Sequence, residues 1–285
     1  MENTRQFAVE RMCRVFTVSR SGYYKWLSGR EIAIQKNSDI AQRIQYEYER
    51  SRCTYGSPRI ADALNQKGYS CSKSTIARQM RSLGISVGRK RKFKVTTDSK
   101  HKYRVFPNLL NREFDVRIPG TVWVSDITYI RVNKHWLYLT TVIDLADRMV
   151  IGWSLSSDMS ALNTVMSAFN NALTLRVPEE DFIFHSDRGV QYACDDFTNL
   201  LRQYKVRQSM SRKGNCWDNA VAESFFKTIK IECIYRQEID SNTMAYRLVF
   251  DYIQGWYNTM RIHSSLGGLS PLQTFIKKSN YLKAA

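Results

Sequence analysis

The sequence predicts an α/β protein, a mixed sheet flanked by helices, preceded by a small all-α region of helix-turn-helix character. Two observations carry this expectation. Period-two apolar alternation runs through 121–130, 135–143 and 149–155, the pattern of half-buried strands, and helical and strand patterns then alternate. Before residue 88 the punctuation is instead that of short helices, with Ser at starts, Pro in a first turn and Gly after last turns. At 285 residues and 43% hydrophobic content, the chain is long enough for more than one core.

Residues 1–37 are expected to form an N-terminal helical segment of two short helices around a turn, with Ser19 or Ser21 as a cap. A DNA-binding domain follows over 38–88. Its first helix starts near Ser38, with Ile40, Ile44 and Tyr48 on one face, and breaks at Tyr55-Gly-Ser-Pro58. Ser57 and Pro58 open the second, which ends before Gly68. Ser72 caps a third that stops at Gly84, placing Ile76, Met80 and Leu83 on one side and Ser74, Arg78 and Arg81 on another. An apolar back and a basic front are what a recognition helix requires, so Arg78 and Arg81 are candidate DNA contacts.

Residues 89–118 read as a basic linker, whose Arg89, Lys90, Arg91 and Lys92 are further candidates for DNA contact. The α/β domain is assigned to 119–285. After its three strands come a helix over 161–175, a strand at 182–184, a helix over 195–203, a strand at 206–209 and a helix over 219–232.

Charge is unevenly divided. Residues 1–112 hold 24 basic and 8 acidic residues, a net +16, whereas 113–285 hold 19 and 18, a net +1. A segment so basic can neutralise phosphates and release counterions, which points to DNA as partner. Six cysteines show no C-x-x-C pair and the four histidines are scattered, so neither zinc nor a disulfide framework is expected, and the thiols are expected to be buried and reduced. Without a leader-like or membrane-length apolar run, the expected location is the cytoplasm.

Three acids fall in strand, strand-end and helix contexts: Asp126, Asp187 and Glu223. Carboxylate oxygens are hard ligands suited to Mg²⁺ or Mn²⁺, and two such ions can serve phosphoryl transfer. Lys227 and Lys230 follow Glu223 by four and seven positions, on one helical stripe, and are candidate DNA contacts. Asp144, Asp147 and Arg148 read as a charged turn, His185 either shapes the site or packs beneath it, and Asp218 reads as a cap for the Glu223 helix. Gly214 and Asn215 read as a mobile loop. Arg261 and His263 either touch DNA or tie down the C-terminal helices.

The acids are separated by 60 and 35 residues. With Trp123-Val-Ser-Asp-Ile-Thr-Tyr129, His185-Ser-Asp-Arg-Gly-Val-Gln-Tyr192, Ser211-Arg-Lys-Gly-Asn-Cys-Trp-Asp-Asn-Ala220, Tyr55-Gly-Ser-Pro-Arg-Ile60, Tyr257-Asn-x-x-Arg261 and His263-Ser-Ser-Leu-Gly267, the chain resembles the DDE transposases of bacterial insertion sequences. The closest resemblance is to their second-reading-frame catalytic subunit, within the superfamily of retroviral integrases. The resemblance implies a ribonuclease H-like fold and an active site of Asp126, Asp187 and Glu223 holding Mg²⁺ or Mn²⁺, with two ions per site. It also implies nicking at element ends and 3′-OH strand transfer. The implied partners are DNA, both terminal repeats and target, further copies of the chain on that DNA, and a first-reading-frame protein as partner or fusion. Two other readings stay open at this point, a DNA-binding regulator and a nuclease that does not join strands.

Overall fold

The computed structural model describes residues 7–87 and 102–284, so Arg89, Lys90, Arg91 and Lys92 lie outside the described residues. The chain divides into two compact units, one up to Val87 and one from Gly88.

The first unit is all helical: α1 (Val9–Val15), α2 (Arg20–Arg50), α3 (Ser57–Gln66) and α4 (Lys73–Ser82). Ser19 caps α2 by accepting from Gly22 N–H, as the sequence predicts. The expected helix start at Ser38 is corrected, because α2 runs unbroken through it. Ser38 has the chemistry of a cap, but residues 30–37 contain no Pro or Gly to end the preceding helix, so nothing frees its backbone. At α3 the cap position belongs to Gly56 rather than Ser57. Ser72 caps α4 through Thr75 N–H, and Gly68 and Gly84 take the left-handed conformation that ends α3 and α4. Ile44, Ile60, Leu64 and Ile76 form the centre of this unit. On α4, Ile76 and Met80 are buried while Ser74, Arg78 and Arg81 are exposed. Leu83 departs from the expected apolar back: it is exposed, because the helix already ends at Ser82.

The second unit is built on a five-stranded sheet, β1 (Val122–Val132), β2 (His135–Asp144), β3 (Val150–Ser156), β4 (Ile183–Ser186) and β5 (Arg207–Met210), in the order β3-β2-β1-β4-β5. The first three strands pair antiparallel, while β4 joins β1 and β5 joins β4 in parallel. A π-type turn, Leu162–Met166, leads into α5 (Ser167–Leu175). The short α6 (Val190–Ala193) and α7 (Asp195–Gln203) lie between β4 and β5. α8 (Ala220–Glu232), α9 (Asn242–Phe250) and α10 (Pro271–Ala284) complete the unit. This is the mixed sheet with flanking helices that the alternation predicts. Trp123, Phe169, Phe182, Phe184, Tyr192 and Phe197 form an aromatic core between the sheet and α5–α7.

That core depends on one close approach. A Cβ on Gly152 of β3 would lie 2.3 Å from Ala168 O and 2.6 Å from Ala172 N, both backbone atoms of α5. Gly152→Ala must therefore push helix from sheet. It is expected to destabilise the chain by about 3 kcal/mol in a denaturant titration, and a midpoint like that of the wild type would remove the close packing from the account.

The turn after β2 is a buried charge network. Arg176 Nη1 lies 2.6 Å from Asp144 and 2.8 Å from Asp147, and all three side chains are buried. Asp144 also accepts from Gly120 N–H and Ala146 N–H. Burial and the neighbouring Asp144 push Asp147 up to about 6. The turn of Asp144 and Asp147 is thus structural, as the sequence predicts, but their ion-pair partner is Arg176, while the expected third member, Arg148, donates from Nη2 to Phe114 O. Among the described residues, no helix is long and apolar enough to cross a membrane. The described cysteines are free, with Cys13 and Cys233 buried and Cys53, Cys71 and Cys194 only partly so.

Candidate active site

Strand register brings the two aspartates together. β1 and β4 run parallel with Val124 opposite His185, so the same register continued two residues sets Asp126 level with Asp187, which directly follows β4. Neighbouring strands stand about 4.8 Å apart, and the carboxyl ends of parallel strands are where open α/β sheets hold ligands. Asp126 accepts from Ile127 N–H at 2.8 Å, and Asp187 from Gly189 N–H at 2.9 Å.

The third acid arrives on α8. Asn219, buried at the start of that helix, donates from Nδ2 to Ser125 O at 3.0 Å, which ties α8 to the β1 residue beside Asp126. Glu223 then lies in the first turn of α8. The expected cap is corrected: Asp218 does not cap α8. Its buried carboxylate accepts from Arg212 N, Nε and Nη2 and from Arg112 Nε at 2.8–2.9 Å, and the Arg212 bonds hold it far below the usual carboxylate range. Two guanidinium groups outcompete the single backbone N–H that a cap would offer. In the Gly214–Asn215 stretch, Arg112 Nη2 also donates to Asn215 Oδ1 at 2.7 Å.

The acids repel one another. Burial, then Asp187, and more weakly Glu223 push the Asp126 carboxyl well above its ordinary value, while Ile127 N–H and Lys230 act the other way. Burial and Asp187 likewise raise Glu223. Burial lowers Lys230, and the nearby Asp126 partly restores it. Among the described residues, no three His, Cys, Asp or Glu side chains close around one point as a finished metal cage does. The exposed Glu223 is the outermost of the three acids. A cluster of hard oxygen donors in mutual repulsion nevertheless suits a divalent cation by its chemistry.

The remaining sequence candidates separate by place. Lys230 is half-buried near Asp126, Lys227 is exposed on the same helix, and Arg78 and Arg81 are exposed on α4 of the other unit. His185 packs, with Nδ1 2.8 Å from Ser209 Oγ and Nε2 3.1 Å from Ser211 Oγ, and burial lowers it to about 4. Arg261 ties down the C-terminal part through two 2.8 Å bonds to Glu232 at the end of α8, joined by Tyr252 Oη. Sequence reasoning missed the Arg112–Arg212–Asp218 clamp, the Asn219 tie, and Tyr192, whose hydroxyl bonds Ser125 Oγ beneath the acids. Arg112 and Asp218 are 106 positions apart, so no local pattern reports that pair.

Comparison with known proteins bears on the family of the chain. Residues 116–216 and 204–271 match two models described as integrase core domain, and 35–93 match an HTH-like domain. The HTLV-2 integrase catalytic core domain, solved in complex with magnesium, aligns with a TM-score of 0.39 and 16% identity over 55% of this chain and 97% of that one. An uncharacterized 31 kDa protein of insertion element IS600 from Shigella sonnei is 38% identical, over 91% of this chain and 96% of its own length. Transposase InsF of insertion sequence IS3A from Escherichia coli K12 is 39% identical over 278 residues, 94% of each chain. The chain therefore belongs to the insertion-sequence transposases of the IS3 InsF type, with an integrase core following an HTH-like domain.

Proposed function

We propose that this transposase nicks DNA at the ends of its element, frees a 3′-OH, and directs that hydroxyl onto a target strand without a covalent protein intermediate. The observation that carries the reading is the parallel register that levels Asp126 with Asp187, beside the helix that Asn219 ties to β1 and that carries Glu223. In this reading Asp126, Asp187 and Glu223 hold Mg²⁺ or Mn²⁺, two ions per site. When bound, such ions activate an attacking oxygen and stabilise a leaving one. Lys230 and Lys227 hold the phosphates of the reacting strand, and Arg78 and Arg81 on α4 contact the terminal repeat.

The division of labour follows the charge, with 38–88 and the basic run 89–92 holding DNA and 119–285 cutting and joining it. Further copies of the chain assemble on the element ends, with a first-reading-frame protein as partner or fusion, and the reaction takes place at the nucleoid. The test is nicking of a plasmid carrying the element's terminal repeats. Single-strand breaks at the repeat boundary are expected with Mg²⁺ or Mn²⁺ and none with chelator, whereas chelator-resistant nicking would overturn the reading.

Changing Lys227 and Lys230 together to Ala is expected to lower strand transfer and end crosslinking by roughly 10- to 100-fold, the worth of one or two charge-assisted phosphate bonds. Folding should change by less than about 1 kcal/mol. Unchanged transfer and crosslinking on cognate and scrambled ends would show that this face does not meet DNA.

A further inference from the structure

Trp217 is 68% exposed, in a turn that is anchored on its C-terminal side. It belongs to the 3₁₀ turn Cys216–Asn219 just before α8, and the two residues after it are buried anchors. Asp218 is held by Arg212 and Arg112, and Asn219 by the Ser125 carbonyl. Arg112 also grips Asn215 on the other side. Beside those anchors, most of a large apolar ring is left in water. That arrangement is unfavourable for the chain alone and favourable once a flat partner covers the ring.

Position identifies the partner. Two residues span at most about 7 Å, so the Trp217 backbone lies within that distance of Asn219, whose side chain touches the residue next to Asp126. The turn that carries Trp217 thus adjoins the β1 residue next to Asp126, and Lys213, four residues before Trp217, is also exposed. A nucleobase offers the matching flat surface, and stacking on an aromatic ring suits every base. A base inside intact duplex has both faces covered by its neighbours, so the base that meets Trp217 is one released from pairing.

We propose that the Trp217 indole stacks on an unpaired nucleobase beside the reacting phosphate and so holds the element end open for strand transfer. The proposal rests on the function proposed above. The Arg112–Asp218–Arg212 clamp serves as the rigid mount for this ring.

The test uses the full-length chain as wild type, Trp217→Ala and Trp217→Phe, with duplexes of the element's terminal repeat carrying 2-aminopurine at successive positions around the nick site. For the wild type, one position should change fluorescence on binding, and Trp217→Phe should retain most of that change. Trp217→Ala should lose it and should transfer paired ends roughly 5- to 100-fold more slowly, the range for loss of one base–aromatic stack. Unpairing that same base in advance should return much of the lost rate. If Trp217→Ala gives the wild-type fluorescence response at every position, stacking is overturned, and this readout needs binding alone. If wild-type and variant chains transfer paired ends equally, the proposal also fails while the proposed function stands. A variant that instead changes the sedimentation of the DNA-free chain would assign the indole to a protein contact and overturn the proposal.

Discussion

Asp126→Asn, Asp187→Asn and Glu223→Gln should each lower nicking and strand transfer by about 10³-fold or more, the scale set by several kcal/mol of lost charge stabilisation at the transition state. An amide keeps the shape of the carboxyl but gives up the charge that makes it a good ligand for a hard cation. The same change removes a negative group facing phosphate, so affinity for element ends should stay level or tighten. Catalysis and binding thus move in opposite directions, a pattern that misfolding does not produce. Plasmid nicking and gel-shift titration on each variant measure the two. Any variant that nicks within tenfold of the wild type removes that residue from the site.

Arg176→Met should cost about 3–5 kcal/mol of stability, because it deletes one side of a buried ion network and keeps the other. Met retains much of the packing against Phe275, whose ring lies 4.4 Å from the guanidinium. It leaves Asp144 and Asp147 buried without their cation. The pH dependence follows from Asp147, whose folded value of about 6 lies above its ordinary 3.8. For an acid raised on folding, the penalty is absent below the unfolded value, grows from there up to the folded value and is complete above it. Arg176 lowers Asp147, so its loss carries the folded value higher and lets the penalty keep growing above about pH 6. The deficit of Arg176→Met should accordingly be larger at pH 7 than at pH 5, and Asp147→Asn in the same chain should recover part of it. A loss under about 1 kcal/mol at pH 7, or one that is independent of pH, would show that the network carries no such energy.

What could be read from the sequence had a local cause. The strands are legible because their side chains alternate between a buried and a wetter face, and the helices of the first unit because Ser72, Gly68 and Gly84 mark their ends. The acids stand out because each sits in a motif whose neighbours set strand, strand end or helix around it. Failures came where local chemistry pointed one way and distant residues another. Ser38 and Asp218 both look like caps. α2 runs through the first because no breaker precedes it, and Arg112 and Arg212 claim the second. Arg176 was invisible for a similar reason, since its partners Asp144 and Asp147 reach it only once β2 and α5 have packed.

The central claim is that the acids within β1, just after β4 and on α8 direct a DNA hydroxyl onto a second strand. A joining assay with element ends labelled at the transferred strand, in Mg²⁺, tests it most directly. The account predicts labelled ends joined to target through their 3′ oxygen, no label left on protein after denaturation, and loss of the joined product in Asp126→Asn. Label retained on the protein as a covalent adduct, or joining that persists in Asp126→Asn, would contradict it.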